Sequence, residues 1–116
     1  MKLPNIFEKG TETVVFRAGD KIVTEGERGD VMYGIKRGEV EIMKGARVVE
    51  TLGPDGFFGE MALVDQSPRS ASAQAKTECE LVPINQKHFT FMVEETPFFS
   101  LVVMQKMAER IRRYGG

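Results

Sequence analysis

An acidic and a basic side chain stand nine residues apart in the stretch FGEMALVDQSPRSASA, which runs from residue 58 to residue 73. Arg69 carries a planar guanidinium group that can bind a phosphate through two parallel hydrogen bonds. Gly59 precedes an apolar run that can begin a helix, and a helix N-terminus offers unpaired N–H groups and a partial positive charge to an anion. Glu60 would repel that anion, but its carboxylate can accept a hydrogen bond from a hydroxyl group. A ligand with both a phosphate and vicinal hydroxyls, such as a nucleotide or a sugar phosphate, reconciles the two residues.

Small residues surround this pair, and Gly59 and Ala62 would let a ligand approach the backbone closely. Two simpler interpretations stay open at this point. A Gly-Glu pair followed by an arginine is often a turn with a surface ion pair, which contributes only about 0–1 kcal/mol. The alternating serines and alanines are equally compatible with a tightly packed strand. The spacing therefore indicates an anion cradle without excluding these alternatives.

The other reactive residues do not indicate an enzyme. His88 is the only histidine, and no cysteine, aspartate or glutamate stands at metal-ligand spacing from it on the predicted helix. Cys79 lies between two glutamates, which would raise the pKa of its thiol. The serines near Arg69 have no neighbouring histidine to act as a base, and no nucleophile elbow is present. We expect no catalytic residue, no metal and no cofactor apart from a bound ligand.

Short strands separated by turn signals occupy most of the sequence before residue 85. Apolar runs alternate with glycine-containing turns at nearly regular intervals, which is typical of an antiparallel sandwich or barrel. We therefore predict a mainly β fold: a short N-terminal segment, then an antiparallel β-roll or jelly roll from about residue 13 to residue 84. Its strands are TVVF, KIVTE, VMYGIK, EVEIMK, RVVETL, ASAQAK and ELVPI. The stretch FGEMALVD adds the end of a strand and a short helix that begins at Gly59.

Helical spacing replaces the strand pattern from about residue 85 to residue 114. Asn85 can cap a first helix, and Thr96 followed by proline can start a second. One apolar stripe is expected on the second helix, at Leu101, Met104, Ala108 and Ile111. Met107 lies beside this stripe, and we expect both Met104 and Met107 to fill the core.

The composition of the 116-residue chain is that of one ordinary globular domain spanning residues 1–116. Its 16 basic and 17 acidic residues leave a net charge of −1, which argues against a broad nucleic-acid surface. The N-terminus MKLPNIFEKG lacks the apolar core of a signal peptide, and no run reaches the roughly 20 apolar residues that span a bilayer. The lone Cys79 cannot form an intramolecular disulfide. We expect a cytoplasmic protein that binds neither nucleic acid nor membrane.

Residues 58–71 resemble the phosphate-binding cassette of the cyclic nucleotide-binding domain family. That cassette reads roughly Phe-Gly-Glu-x-Ala-Leu, a short loop and then Pro-Arg-x-Ala, and FGEMALVDQSPRSA matches every marker position. The flanks FRAGDKIVTEGERGDVMYGIKRGEVEI and VVETLGPDGFFGE follow the family's order of glycines and apolar residues, so the likeness covers about residues 13–114. The chain is similar to the sensor domain of catabolite activator protein-like members. We expect a stand-alone bacterial-type member without a DNA-binding domain after Gly116.

The resemblance implies a division of roles within the cassette. Glu60 would hold the ribose 2′-hydroxyl, and Arg69 would hold the cyclic phosphate. Ile42 and Val49 match positions that line the base. The other cassette residues of the implied site are Gly59, Met61, Ala62, Ser70 and Ala71. Of these, Gly59, Ala62 and Ser70 would complete the phosphate shell, mostly through backbone N–H groups, with a further contact from the Ser70 hydroxyl.

The same resemblance implies that the second helix is a lid over the ligand. When that helix is aligned from Pro97, Arg110 falls where a family arginine pairs with the ribose-binding glutamate. Tyr114 falls where a side chain reaches the base. The helix would also dock an unknown protein partner or a second copy of the chain.

The resemblance leaves open which cyclic nucleotide is bound. Bacterial relatives that bind cyclic AMP tend to have a serine at the position of Ser70, whereas eukaryotic relatives selective for cyclic GMP commonly have threonine. We expect cyclic AMP, with cyclic GMP as the alternative. Two further alternatives are a sensor of another phosphate metabolite and an interaction or oligomerisation module that needs no ligand.

Overall fold

Eight short strands form two four-stranded antiparallel sheets in the computed structural model, which describes residues 12–114. The strands are β1 (Val14–Phe16), β2 (Lys21–Val23), β3 (Val31–Arg37), β4 (Val40–Lys44), β5 (Arg47–Leu52), β6 (Phe57–Phe58), β7 (Ser72–Ala75) and β8 (Cys79–Asn85). The helices are α1 (Met61–Asp65), α2 (Gln86–Glu95) and α3 (Phe98–Tyr114). One sheet has the order β1-β8-β3-β6 and the other the order β2-β7-β4-β5. The predicted antiparallel β-roll with a short cassette helix and C-terminal helices is confirmed.

The β1-β8-β3-β6 sheet is covered on both faces. Leu81 and its neighbour Val82 are both fully buried, although successive strand residues point to opposite faces. Leu81 belongs to the apolar cluster shared with the second sheet, and Val82 to the cluster shared with α2 and α3. This explains why β8 is almost continuously apolar rather than alternating. The buried second face ties the C-terminal helices to the roll.

The break between α2 and α3 follows the sequence signals. The Asn85 side chain caps α2 by accepting a hydrogen bond from the His88 N–H at 2.8 Å. Thr96 ends α2, since its N–H donates to the Met92 carbonyl at 2.8 Å. The Thr96 carbonyl then accepts from the Phe99 N–H at 2.9 Å, which opens the first turn of α3. Asn85 as the cap and Thr96-Pro97 as the boundary are confirmed.

The face of α3 that packs against the roll is not the predicted apolar stripe. Phe99 and Val103 are buried, and Met107 packs against the same cluster, as expected for a core methionine. Met104 is instead 53% exposed, so its assignment to the core is wrong. The predicted stripe faces solvent because α3 packs against the roll through a different face. That buried face also carries a charged residue, Arg110. None of the helices within residues 12–114 is both long and apolar enough to cross a bilayer.

Candidate functional site

A left-handed glycine joins β6 to the short helix α1. Gly59 has φ +81°, a conformation that costs side-chain-bearing residues roughly 1–2 kcal/mol. The first turn of α1 then begins, with the Ala62 N–H donating to the Gly59 carbonyl at 3.2 Å. The helix ends at Asp65, and the residue that follows, Gln66, is also left-handed, with φ 55°. The chain therefore turns sharply at Gly59 and again at Gln66, and the side chains of Glu60 and Arg69 come to the same region.

Arg69 is a buried cation bound to carbonyl groups. Its Nη2 donates to the Val31 carbonyl at 2.9 Å, and its Nη1 to the Gly59 carbonyl at 3.3 Å. Among residues 12–114 it forms no ion pair. Burial lowers the pKa of Arg69, while Tyr33, Asp30 and Glu60 act in the opposite direction. Arginine keeps its proton at neutral pH, so a positive charge is held out of water without a carboxylate directly against it.

Two glycines make room for the Arg69 guanidinium. A Cβ atom on Gly29 would lie 2.3 Å from Nη2 and 2.5 Å from Cζ of Arg69. A Cβ atom on Gly59 would lie 2.6 Å from Nη1. All three distances are shorter than real carbon contacts allow, so the guanidinium rests on bare backbone from two separate loops. The small residues next to Arg69 thus have a steric reason, in addition to the close ligand approach inferred from the sequence.

Glu60 is buried and paired with Arg110 of α3. Arg110 Nη1 donates to Glu60 Oε1 at 2.6 Å, and Arg110 Nη2 donates to the Phe57 carbonyl at 2.6 Å. The Arg110 Cζ atom also lies 5.6 Å from the centre of the Phe57 ring. The pairing of Arg110 with Glu60, which the helix register implied, is present in the structure. Its consequence is a direct link between the cassette and the C-terminal helix.

A second carboxylate, Glu50 of β5, completes this cluster. Glu50 Oε1 accepts from Arg110 Nε and from the Tyr114 hydroxyl, each at 3.1 Å. Glu50 Oε2 lies 3.3 Å from Lys106 Nζ. Burial acts to raise the pKa of Glu50, but the charges of Arg110 and Lys106 and the hydrogen bonds it accepts hold that pKa below its usual range. Burial raises the pKa of Tyr114, so the phenol stays protonated and donates to Glu50.

Lys44, at the end of β4, connects the other side of the cassette to Tyr114. Its ammonium group donates to the Ser70 carbonyl and lies 5.9 Å from the centre of the Tyr114 ring. A cation over an aromatic face is attractive at this distance. The last residue of α3 is therefore held between a carboxylate on β5 and a cation on β4.

Residues of the cassette, the roll and α3 line one cleft, and this lining includes every predicted site residue except Val49. The lining comprises Ile42, Gly59, Glu60, Met61, Ala62, Arg69, Ser70, Ala71, Arg110 and Tyr114, together with Val23, Phe58, Ser67, Pro68, Ser72 and Ala73. The cleft is partly open to solvent and has a volume of about 40 Å³. Because Arg110 and Tyr114 close one wall, the cleft is narrow in this state.

A β-bulge explains why Val49 does not line the cleft. Ile42 pairs with Glu50, whereas the next residue, Met43, pairs with Val48, so Val49 is an extra residue in β5. Such a bulge changes the direction of the side chains beside it. Val49 packs against the apolar cluster between the sheets. Its neighbour Glu50 reaches Arg110 instead.

Gly29, Glu50 and Lys44 are among the residues of this region that were not predicted. Gly29 reads in sequence as an ordinary turn glycine, and no local pattern relates it to Arg69. Glu50 did leave a signal, since Lys106, Arg110 and Tyr114 recur at intervals of four and so share one face of α3. That polar row predicts an acidic partner, although it does not identify which strand supplies the partner.

The family assignment agrees with this geometry. The sequence profile of the family described as "Cyclic nucleotide-binding domain" matches residues 13–96, which include all eight strands and the whole cassette. The chain belongs to the cyclic nucleotide-binding domain family. The match ends before α3, so the profile does not cover Arg110 and Tyr114.

Relatives of this domain are much longer proteins. Potassium/sodium hyperpolarization-activated cyclic nucleotide-gated channel 3 of Mus musculus is 37% identical over 103 residues, which cover 87% of this chain and 13% of the channel. The cAMP-dependent protein kinase regulatory subunit of Schizosaccharomyces pombe is 39% identical over 79 residues, covering 67% of this chain and 19% of the subunit. This chain spans less than a fifth of the length of either relative.

A solved bacterial structure has the same fold. The catabolite activator protein of Thermus thermophilus superposes with a TM-score of 0.77 at 27% identity, over 88% of this chain and 50% of the activator. The similarity thus extends from the sequence motif to the arrangement of the sheets and helices.

Proposed function

We propose that this domain is a regulatory module that binds cyclic AMP, with Arg69 on the cyclic phosphate and Glu60 on the ribose. The observation that carries the proposal is the state of Arg69. Within residues 12–114 this buried guanidinium donates hydrogen bonds to carbonyl groups and forms no ion pair, so it keeps most of its electrostatic attraction for an anion. A phosphate in the cleft would supply the missing negative charge.

The position of Glu60 favours a ligand that carries hydroxyls as well as a phosphate. Glu60 and Arg69 line the same cleft, yet they do not form an ion pair with each other. Glu60 is instead held by Arg110 at 2.6 Å. A buried carboxylate in that position accepts hydrogen bonds and repels phosphate, so it orients a ribose with its hydroxyls toward α3 and its cyclic phosphate toward Arg69.

The narrow cleft supports a role for α3 as a lid. A cleft of about 40 Å³ holds a few water molecules, far less than a nucleotide needs. Entry of a nucleotide therefore requires Arg110 and Tyr114, or the cassette, to move. A ligand can shift the position of α3 only if it binds one position more tightly than the other. Contact with both Glu60 and Tyr114 would provide that difference.

One observation favours cyclic AMP over cyclic GMP. Ser70, directly after the cassette arginine, is the residue that the family resemblance associates with cyclic AMP in bacterial members. A serine hydroxyl can also donate to or accept from a guanine, so cyclic GMP is the competing ligand.

Calorimetric titration with cyclic AMP, cyclic GMP and AMP tests the proposal. We expect saturable heat with cyclic AMP, weaker binding of cyclic GMP and little binding of AMP, whose phosphate carries more charge and lacks the ring. Preference for cyclic GMP would correct the base assignment while keeping the site. Absence of heat with both cyclic nucleotides would reject the function.

One observation favours an interaction module as the second candidate. Leu101, Met104 and Ile111 are each about half exposed along one side of α3, and Phe98 extends the same surface. Apolar residues that recur along an exposed helix face are suited to docking a partner. Sedimentation at several protein concentrations, with and without nucleotide, distinguishes self-association through this face from a monomeric sensor.

A further inference from the structure

The Glu50 carboxylate contacts three donor side chains on one face of α3. Lys106, Arg110 and Tyr114 follow each other at intervals of four residues, so they lie one above another along the helix. Tyr114 Oη and Arg110 Nε are each 3.1 Å from Glu50 Oε1, and Lys106 Nζ is 3.3 Å from Oε2. A single carboxylate on β5 thus contacts more than two turns of the helix.

This carboxylate is separate from the ligand cleft. Glu50 does not line the cleft, whereas Arg110 and Tyr114 do. Its side chain is only 7% exposed, and that of Arg110 is 3% exposed. Glu50 therefore lies behind two cleft-lining residues and accepts a hydrogen bond from each.

The guanidinium of Arg110 is shared between Glu50 and the ligand-facing Glu60. Nε contacts Glu50, Nη1 contacts Glu60 at 2.6 Å, and Nη2 contacts the Phe57 carbonyl. If Glu60 were its only acidic partner, any ligand that rearranged Glu60 would leave a buried cation unpaired, at considerable cost. With Glu50 in place, Arg110 keeps an acidic partner during ligand exchange.

We propose that Glu50 is a positioning residue of the site, which holds α3 docked and keeps Arg110 and Tyr114 at the cleft independently of Glu60. The inference builds on the proposed function, because it identifies what keeps the proposed lid closed. The β-bulge at Val49 is the backbone feature that directs Glu50 to this position. Loss of the Glu50 charge should loosen α3 in particular, leaving the roll unaffected.

The test measures hydrogen exchange in the nucleotide-free protein, so it does not depend on which ligand binds. Glu50→Gln keeps the side-chain shape and removes the charge. Glu109→Gln is the matched control, since Glu109 also contacts Lys106, at 3.4 Å, but its side chain is 52% exposed. We expect amides around Lys106 and Arg110 to exchange about five- to thirtyfold faster in Glu50→Gln, with β3 and β8 unchanged. Exchange in Glu109→Gln should match the unmodified chain.

Two results would overturn the inference. Equal exchange in Glu50→Gln and Glu109→Gln would show that the buried carboxylate has no special hold on α3. A uniform increase across β3, β8 and α3 would show a general loss of stability instead of lid positioning. Neither result bears on whether Arg69 binds a nucleotide, so the proposed function is tested separately.

A double-mutant cycle provides a second test, because it measures the coupling between Glu50 and Tyr114 in the exchange rate of α3. A general loss of stability would not produce such a coupling. Tyr114→Phe removes the hydroxyl that donates to Glu50 and keeps the ring. If the two groups act on α3 through one hydrogen bond, Glu50→Gln and Tyr114→Phe should be clearly non-additive in the α3 exchange rate. Additive effects would contradict a shared contact.

Discussion

Substitution of Gly29 by alanine will disable the site without unfolding the domain. Gly29 lies far from the cassette in sequence, and the nearest atoms that a side chain at this position would meet belong to Arg69. An alanine Cβ would be 2.3 to 2.5 Å from three guanidinium atoms, so the two groups cannot occupy their present positions together. The guanidinium is the far end of a flexible side chain, so it will move while the backbone stays in place.

The stability change should be small because two effects oppose each other. Gly29 is not among the glycines with positive φ, so its backbone suits alanine. At such positions Gly→Ala stabilises a protein by about 0.4–1 kcal/mol through the unfolded state. Displaced Arg69 loses its hydrogen bonds to the Val31 and Gly59 carbonyls and gains others to water, which offsets that gain. The expected change in the free energy of unfolding is within about 1 kcal/mol.

The loss of binding should be much larger. A hydrogen bond to a charged group contributes about 1.5–3 kcal/mol, and a displaced guanidinium loses at least one such bond to the phosphate. At about 1.4 kcal/mol for each factor of ten, cyclic AMP should bind roughly ten- to hundredfold more weakly. The perturbation thus separates binding from folding.

Calorimetric titration and denaturant unfolding of the same protein samples give the two quantities. Gly53→Ala is the control, because a Cβ there meets nothing within 4 Å and the backbone is also outside the left-handed region. It should leave both affinity and stability close to those of the unmodified chain. If Gly29→Ala binds cyclic AMP within about threefold of Gly53→Ala, the guanidinium position seen here is not the binding position.

Two further predictions concern α3. The acidic pKa shift of Glu50 means that its contribution to stability is fully present above its unfolded pKa of about 4.3 and is lost as the pH falls through the lower folded-state pKa. Lowering the pH from about 6 to about 3 should therefore reduce the free energy of unfolding more in the unmodified chain than in Glu50→Gln, as measured by denaturant unfolding. Equal losses would contradict a stabilising charge on Glu50. The packing of α3 predicts that Phe99→Ala lowers the free energy of unfolding by about 3–5 kcal/mol, whereas Met104→Ala changes it by less than about 0.5 kcal/mol. Similar losses in the two variants would mean that α3 packs with a different face.

The β-roll and the cassette were predictable because their signals are local. Alternating apolar residues between glycine turns specify short strands, and seven of the eight strands match segments expected from the sequence. Residues 58–71 bring Glu60 and Arg69 to one place through a strand end, a short helix and a loop. No distant contact is needed to recognise that motif.

The orientation of α3 was not predictable in the same way. Its sequence FFSLVVMQKMAERIRRY contains two overlapping stripes, and the one through Leu101, Met104 and Ile111 carries fewer charges. The structure buries the other face, with Phe99 and Val103, even though that face includes Arg110. Burial of this cation is possible because two carboxylates from the roll contact it. A hydrophobic pattern on one helix cannot reveal charges supplied by distant strands.

The contacts of Gly29 and Glu50 depend on tertiary structure for similar reasons. Gly29 meets Arg69 across 40 residues of sequence, and Glu50 reaches α3 only because a bulge at Val49 turns β5. Val49 was assigned to the base wall by the family resemblance alone. Bulges have weak sequence signals, so neither the extra residue in β5 nor the contact of Glu50 with α3 could be predicted from the strand pattern.

The central claim is that Arg69 binds the cyclic phosphate. Parallel calorimetric titrations of cyclic AMP into the unmodified chain and into Arg69→Ala test it most directly. Removal of one partner from a buried charge contact costs about 2–5 kcal/mol, so the variant should bind roughly thirtyfold to several thousandfold more weakly. An affinity for cyclic AMP that is unchanged within about threefold would contradict the claim, because Arg69 would then lie outside the site.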